Sequence, residues 1–386
     1  MVADGSKRWR RLVIGTIALL LLVFCVWNAG TRPPATRQAN RESGTRVAPS
    51  AGPSRPVHAP GGMDAFVSRV SHVNVMTAAR ANHVERILRE LARRRQAGVR
   101  AIGRVLRRGD DVDFASMVGG ERLGHRTLRQ ALIDTLGRIG GPDAAAVALE
   151  EIRRTTQPME IVMLARILER EQPGAHREEM IHAASEALRA AEHGPPPDVG
   201  PLFDLLASDG TGPALAELER SAPRWEAYAL IALADVPDGA GIPSVAALAR
   251  GADSQLAFRV LAQTGGQYGD AGDALLDLAR AGRIPDGTWP AIGEALAGKQ
   301  LRLSTRMFDG TPLAADASAP VRKTFYVQWL NVRYEEDVVS AGWSDERVDR
   351  QLALIEDLRA AASSPAAEDA LQYARRALDI RLAAVH

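Results

Sequence analysis

Three eight-residue segments recur in this chain at a fixed distance. PALAELER at Pro213–Arg220, PSVAALAR at Pro243–Arg250 and DALLDLAR at Asp273–Arg280 begin thirty residues apart each time. Within each, apolar residues fall three and four apart, the spacing of one buried helical face. Pro or Asp at the head of each segment reads as a helix start, where the first N–H groups lack intrahelical partners. Glycine-rich turns precede them at Gly210–Gly212, Gly239–Gly241 and Gly265–Gly272. An apolar helix precedes each turn, carrying Leu205–Leu206, Leu230–Leu233 and Phe258–Leu261. The unit is therefore helix, glycine turn, helix. Such a pair is too small to bury its apolar face alone and must stack on neighbours.

The same pattern is written most fully at Arg129–Asp143, RQALIDTLGRIGGPD, followed by Ala144–Arg153. An Ala/Leu helix, an LG-x-IG-x-P turn and a second helix resemble HEAT repeats of the short bacterial kind, also found in phycobilisome-lyase-type proteins. Weaker units occupy Met159–Ala191 and Trp289–Leu303, so the resemblance covers about 120–300. It implies a right-handed α-solenoid of helical hairpins. It implies no reaction, because HEAT units serve as binding surfaces in unrelated proteins, and it gives no ground for expecting bilin-lyase activity.

Ahead of the repeats lies Leu12–Trp27, LVIGTIALLLLVFCVW, sixteen residues without a charge. Eleven of them are Leu, Ile, Val or Phe, contributing on the order of −3 to −7 kcal/mol to insertion. Extended to Gly30, the run reaches roughly 28 Å as a helix against a hydrocarbon core of about 30 Å. Trp9 and Trp27 bracket it, as interfacial aromatics do. A cleaved signal peptide shares this layout, but a cut after Ala29 or Gly30 puts Trp27 or Asn28 where a small residue is wanted. Lipidation of Cys25 needs a small residue where Phe24 stands. The reading is an uncleaved single-pass anchor at residues 12–30 behind a basic tail at 1–11. Lys7, Arg8, Arg10 and Arg11 crowd that short tail. They favour a cytoplasmic N-terminus, with the C-terminal domain outside the cytoplasm at a bacterial inner membrane. Residues 31–62, rich in Pro and Arg and poor in bulky apolar side chains, read as a disordered linker. Its arginines offer contact with an anionic surface.

The net charge of +1 conceals a division. Residues 1–62 carry nine Lys/Arg and two Asp/Glu, and residues 63–108 carry eleven and three. The remainder is correspondingly acidic. Within the basic leader region 63–119, Arg86, Arg89, Arg93, Arg100, Arg104 and Arg107 share a sector of roughly 60° on a wheel turning about 100° per residue. That stripe requires one unbroken helix; Gly98 and Gly103 are the places where it would break. A continuous stripe suits an anionic polymer, an acidic protein face or the acidic remainder of the chain. No aromatic residue interleaves with these arginines, so nucleic acid is disfavoured.

After residue 303, Val321–Val339, Asp345–Ala362 and Pro365–Val385 read as the helices of a C-terminal cap spanning 304–386. Phe325, Tyr326, Trp329 and Tyr334 concentrate in the first, where Trp329 and Tyr334 are candidates for partner contact. His193–Gly200, HGPPPDVG, reads as a loop.

Residues able to carry chemistry are sparse. Cys25 is the sole cysteine, which excludes disulfides within the chain and Cys-based metal sites. His176 and His182 are six apart, on different helical faces, whereas a zincin pair is four apart. Asp110, Asp111 and Asp113 lack the glycine and closing Glu of an EF-hand and fit a helix N-terminus better. Gly137, Gly140 and Gly141 follow a helix rather than a strand, and no serine sits in a nucleophile elbow. The expectation is a membrane-anchored scaffold or adaptor that binds a protein partner, with no catalytic residue, cofactor or metal. The alternatives are a tethered binder of an anionic polymer and an enzyme whose site is assembled from distant residues.

Overall fold

A computed structural model describes residues 62–193, 198–251, 255–301, 337–338 and 343–385. The chain divides into two units, Met1–Val57 and His58–His386, and every described residue belongs to the second. The expected bilayer span at 12–30, the linker, Trp329 and Tyr334 lie outside the described residues. Among the described residues no helix is long and apolar enough to cross a membrane.

The fold is all-α, with fifteen helices among the described residues. The leading helices are α1 (Gly62–Ser71), α2 (Ala78–Arg93) and α3 (Gln96–Arg108), followed by α4 (Leu128–Ile139) and α5 (Pro142–Ile152). Next come α6 (Pro158–Glu171), α7 (Arg177–Ala191), α8 (Gly200–Asp209), α9 (Gly212–Asp235) and α10 (Ile242–Arg250). The last are α11 (Gln255–Thr264), α12 (Gly269–Arg280), α13 (Trp289–Leu296), α14 (Asp345–Ala361) and α15 (Pro365–Val385). Starts are set locally. Hydroxyls of Thr77, Thr127 and Ser344 accept from the N–H groups of Arg80, Gln130 and Arg347 at 3.2–3.3 Å, and proline occupies the first turn of α5, α6, α8, α9, α10 and α13.

Packing follows chain order. Most contacts join a helix to the next or the next but one, as in α2 with α3 and α4, α3 with α5, α4 with α6, and onward to α13 with α15. These helices share one apolar cluster that runs from Phe66 to Leu378. The basic helices α2 and α3 pack on α4 and α5 in the same manner, so they continue this order. Inside α9, Pro223 removes an N–H and Trp225 leaves helical geometry (φ −124°, ψ 41°), so the element bends and its second half pairs with α10. The bend is filled by buried aromatics: Phe203 stacks on Tyr228 at 5.5 Å, and Trp225 meets Tyr228 edge-on at 6.4 Å.

Two sequence expectations need correction. Asp273 is the fifth residue of α12, which already begins at Gly269. Gly272 lies inside α12 and not in a turn, and a Cβ there would meet the Gly265 carbonyl oxygen and Leu354 at 3.5 Å, an ordinary contact distance. Most of the helix expected over Val321–Val339 lies outside the described residues, but Asp337 and Val338 near its end are strand and not helix. Asp337–Val338 forms an antiparallel strand pair with Lys299–Gln300, with Lys299 opposite Val338 and Gln300 opposite Asp337. Adjacent Val338 and Val339 are β-branched, and that preference wins over the helical pattern. Next to this pair, the buried Gln263 side chain donates to the Leu301 carbonyl at 3.1 Å and accepts from its N–H at 2.6 Å. Arg347, at the start of α14, reaches the Gln263 carbonyl at 3.5 Å.

Candidate functional site

The arginine stripe is not continuous. Helix α2 ends at Arg93 and α3 begins at Gln96, with Arg95 holding φ 44°, ψ −114° between them. The break falls before Gly98, and Gly98 has a different task. A Cβ on it would sit 2.1 Å from the Leu91 carbonyl oxygen, so only glycine lets α3 fold back directly against α2. Arg86, Arg89 and Arg93 thus ride on α2, and Arg100, Arg104 and Arg107 on α3; all six are exposed. Arg107 is engaged by Glu150 at 3.0 Å, and Arg86 by His83 at 2.7 Å. Among the described residues, the side chains of Arg93, Arg95, Arg100 and Arg104 have no hydrogen-bond or ion-pair partner.

Folding α3 back on α2 places the elbow opposite the α4–α5 turn. Ala92, Arg93, Arg95, Gln96 and Val99 on one side, and Arg138–Asp143 on the other, border an open cleft of about 850 Å³. Val99 is buried and Ala92 and Ile139 half-buried, which gives the cleft an apolar floor beneath three guanidinium groups. Asp143 is its only lining carboxylate, and no aromatic residue, Ser, Thr, Cys, His or Lys lines it. Its guanidinium forks are able to grip carboxylate or phosphate in bidentate fashion.

The walls are held firmly. At the α4–α5 turn Gly140 and Gly141 have φ 64° and 83°, and the Gly141 N–H donates to Glu171 Oε2 at 2.8 Å. That hydrogen bond, with help from Arg170, holds the Glu171 carboxyl below its ordinary range. Arg138 donates to Asp134 one turn back, and His125 Nε2 lies 3.4 Å from the same carboxylate. Burial pushes Asp134 up, but these two partners outweigh it and bring its pKa down to about 2. Below the cleft, buried Arg129 donates to Glu160 through Nε at 2.9 Å and Nη2 at 3.1 Å, to Glu151 at 3.3 Å and to the Leu106 carbonyl at 2.7 Å. One guanidinium therefore joins α3, α4, α5 and α6. Asp111 accepts from the Arg129 N–H at 2.9 Å and so serves the N-terminus of α4, whereas Asp113 accepts from the Ala115 N–H at 2.9 Å, outside any helix.

Arg93 is the one sequence candidate that lines the cleft; Arg95 and Arg138 were missed. The run Arg93–Arg94–Arg95 just before Gly98, and Arg138 beside Gly140–Gly141–Pro142, were the available signals. His176 precedes α7 and binds Gln172 at 2.7 Å. Among the described residues no three His, Cys, Asp or Glu side chains gather as a metal site. No family model, curated protein or solved structure matches this chain.

Proposed function

We propose that the chain is a membrane-anchored scaffold: a right-handed HEAT-like α-solenoid, tethered through Leu12–Gly30, that binds a protein partner and performs no chemistry of its own. The observation that supports this reading is the packing order, in which most helices contact the next one or the next but one along one continuous core. Stacking of this kind yields long exposed surfaces suited to polypeptide partners. The basic helices support the choice of an acidic face on that partner.

The test has two arms. Full-length protein should fractionate with membranes, resist extraction by alkaline carbonate and release only in detergent; release by carbonate sinks the anchor. Affinity isolation of crosslinked full-length protein should return one polypeptide in near-stoichiometric yield, and its absence sinks the scaffold. A second reading, a tethered binder of an anionic polymer, is favoured by the unpaired Arg100 and Arg104. It predicts tight heparin binding, with affinity falling steeply as salt rises, and no stoichiometric protein.

A further inference from the structure

Resting on the scaffold reading, we infer that the cleft between the α2–α3 elbow and the α4–α5 turn is the docking site for an acidic polypeptide segment carrying one apolar anchor. Four observations converge. The lining sets three arginines against one aspartate, and the Arg93 and Arg95 side chains have no partner among the described residues. The floor of Ala92, Val99, Ile139 and Pro142 is apolar, which suits a Leu or Phe side chain flanked by carboxylates.

The third observation is shape. An open site of about 850 Å³ has room for a chain segment lying along it. With no aromatic residue in the lining, unstacked bases gain nothing there. The fourth is Arg95 itself. It is one of two non-glycine residues among the described ones with positive φ. A large cationic side chain thus occupies a backbone conformation that glycine adopts without strain. Arg94 turns away to Glu90 at 2.9 Å, so the elbow directs Arg93 and Arg95, and not Arg94, toward the cleft.

The site has a built-in competitor. Arg138 is held by Asp134, and a docked carboxylate shares or replaces that partner.

The experiment is fluorescence anisotropy with full-length protein in detergent and a labelled nine-residue probe of eight glutamates around a central leucine. Saturable binding is expected, weakened about tenfold by Arg95→Ala and by Arg93→Ala. Replacing the central leucine by serine should weaken it severalfold. Asp134→Asn, which releases Arg138, should strengthen binding severalfold. Arg100→Ala and Arg104→Ala, on α3 outside the cleft, should change it less than twofold. Equal losses at Arg100 and Arg95 would show diffuse attraction and overturn the cleft, as would leucine-independent binding or stronger binding to anionic vesicles than to the probe. If Arg93→Glu/Arg95→Glu protein still captures its stoichiometric partner unchanged, the cleft fails while the scaffold stands. If no partner is captured by any form, the scaffold fails with it.

Discussion

Between α3 and α6 the helices meet around charge, whereas between α11 and α15 they meet around missing side chains. In the first region buried Arg129 donates to Glu151, Glu160 and a helix-end carbonyl at once. In the second, Gly293 lies so close to α15 that a Cβ would stand 2.6 Å from the Ala370 carbonyl oxygen, and Gly266 leaves room for buried Gln351. The same helix-on-helix order is thus secured in two ways. A hub of charges fixes orientation, because its hydrogen bonds have one geometry; close backbone approach fixes distance, because nothing larger fits. The charged region is also the one that carries the cleft, with Arg138 on its wall held by Asp134.

The contrast can be broken in the following order of expected effect. Arg129→Ala strands two buried carboxylates and should cost about 3–5 kcal/mol. Hydrogen exchange should show the loss in α3–α6 and leave α13–α15 protected; loss of protection throughout would mean that the two regions do not differ. Gly293→Ala should cost about 1–3 kcal/mol by overpacking, with the opposite map: exchange rises in α13 and α15 and stays low at α4. A variant as stable as the parent would show that the helices can part without cost.

Asp134 supplies a pH signature. A carboxylate whose pKa falls from 3.8 to about 2 on folding stabilises the fold above 3.8, and that contribution is lost as pH drops through about 2. Acid titration followed by exchange in α4 should therefore be flatter for Asp134→Asn than for the parent over that window. Parallel curves would remove Asp134 from the account. The smallest effect is a gain. Arg95→Gly relieves backbone strain and should raise stability by about 1 kcal/mol in a thermal melt, while weakening the acidic probe. A loss of stability would mean that the elbow is not strained.

Much of the architecture was legible because glycine and proline punctuate it. The thirty-residue spacing located α9, α10 and α12, and Arg129–Asp143 located α4 and its turn. The misreadings share one cause. Glycine has two uses, turning the chain and letting helices touch, and a sequence does not say which. Gly98 was read as a break and Gly272 as part of a turn, yet Gly98 permits close approach to Leu91 and Gly272 lies inside α12. The true break at Arg95 carried no glycine to announce it. The cleft was half visible for a similar reason: Arg93 belongs to a charged run on one helix, but Arg138 joins it only through the packing of α4 against α2 and α3. The Asp337–Val338 pairing with Lys299–Gln300 was hidden by sequence distance.

Gln263 has a further consequence. Its side chain grips the backbone of Leu301, and its own carbonyl receives Arg347. Two points of the chain far apart in sequence are thus moored to a single residue of α11, one through its side chain and one through its backbone. A change of side chain at Gln263 would cut the first mooring and leave the second in place.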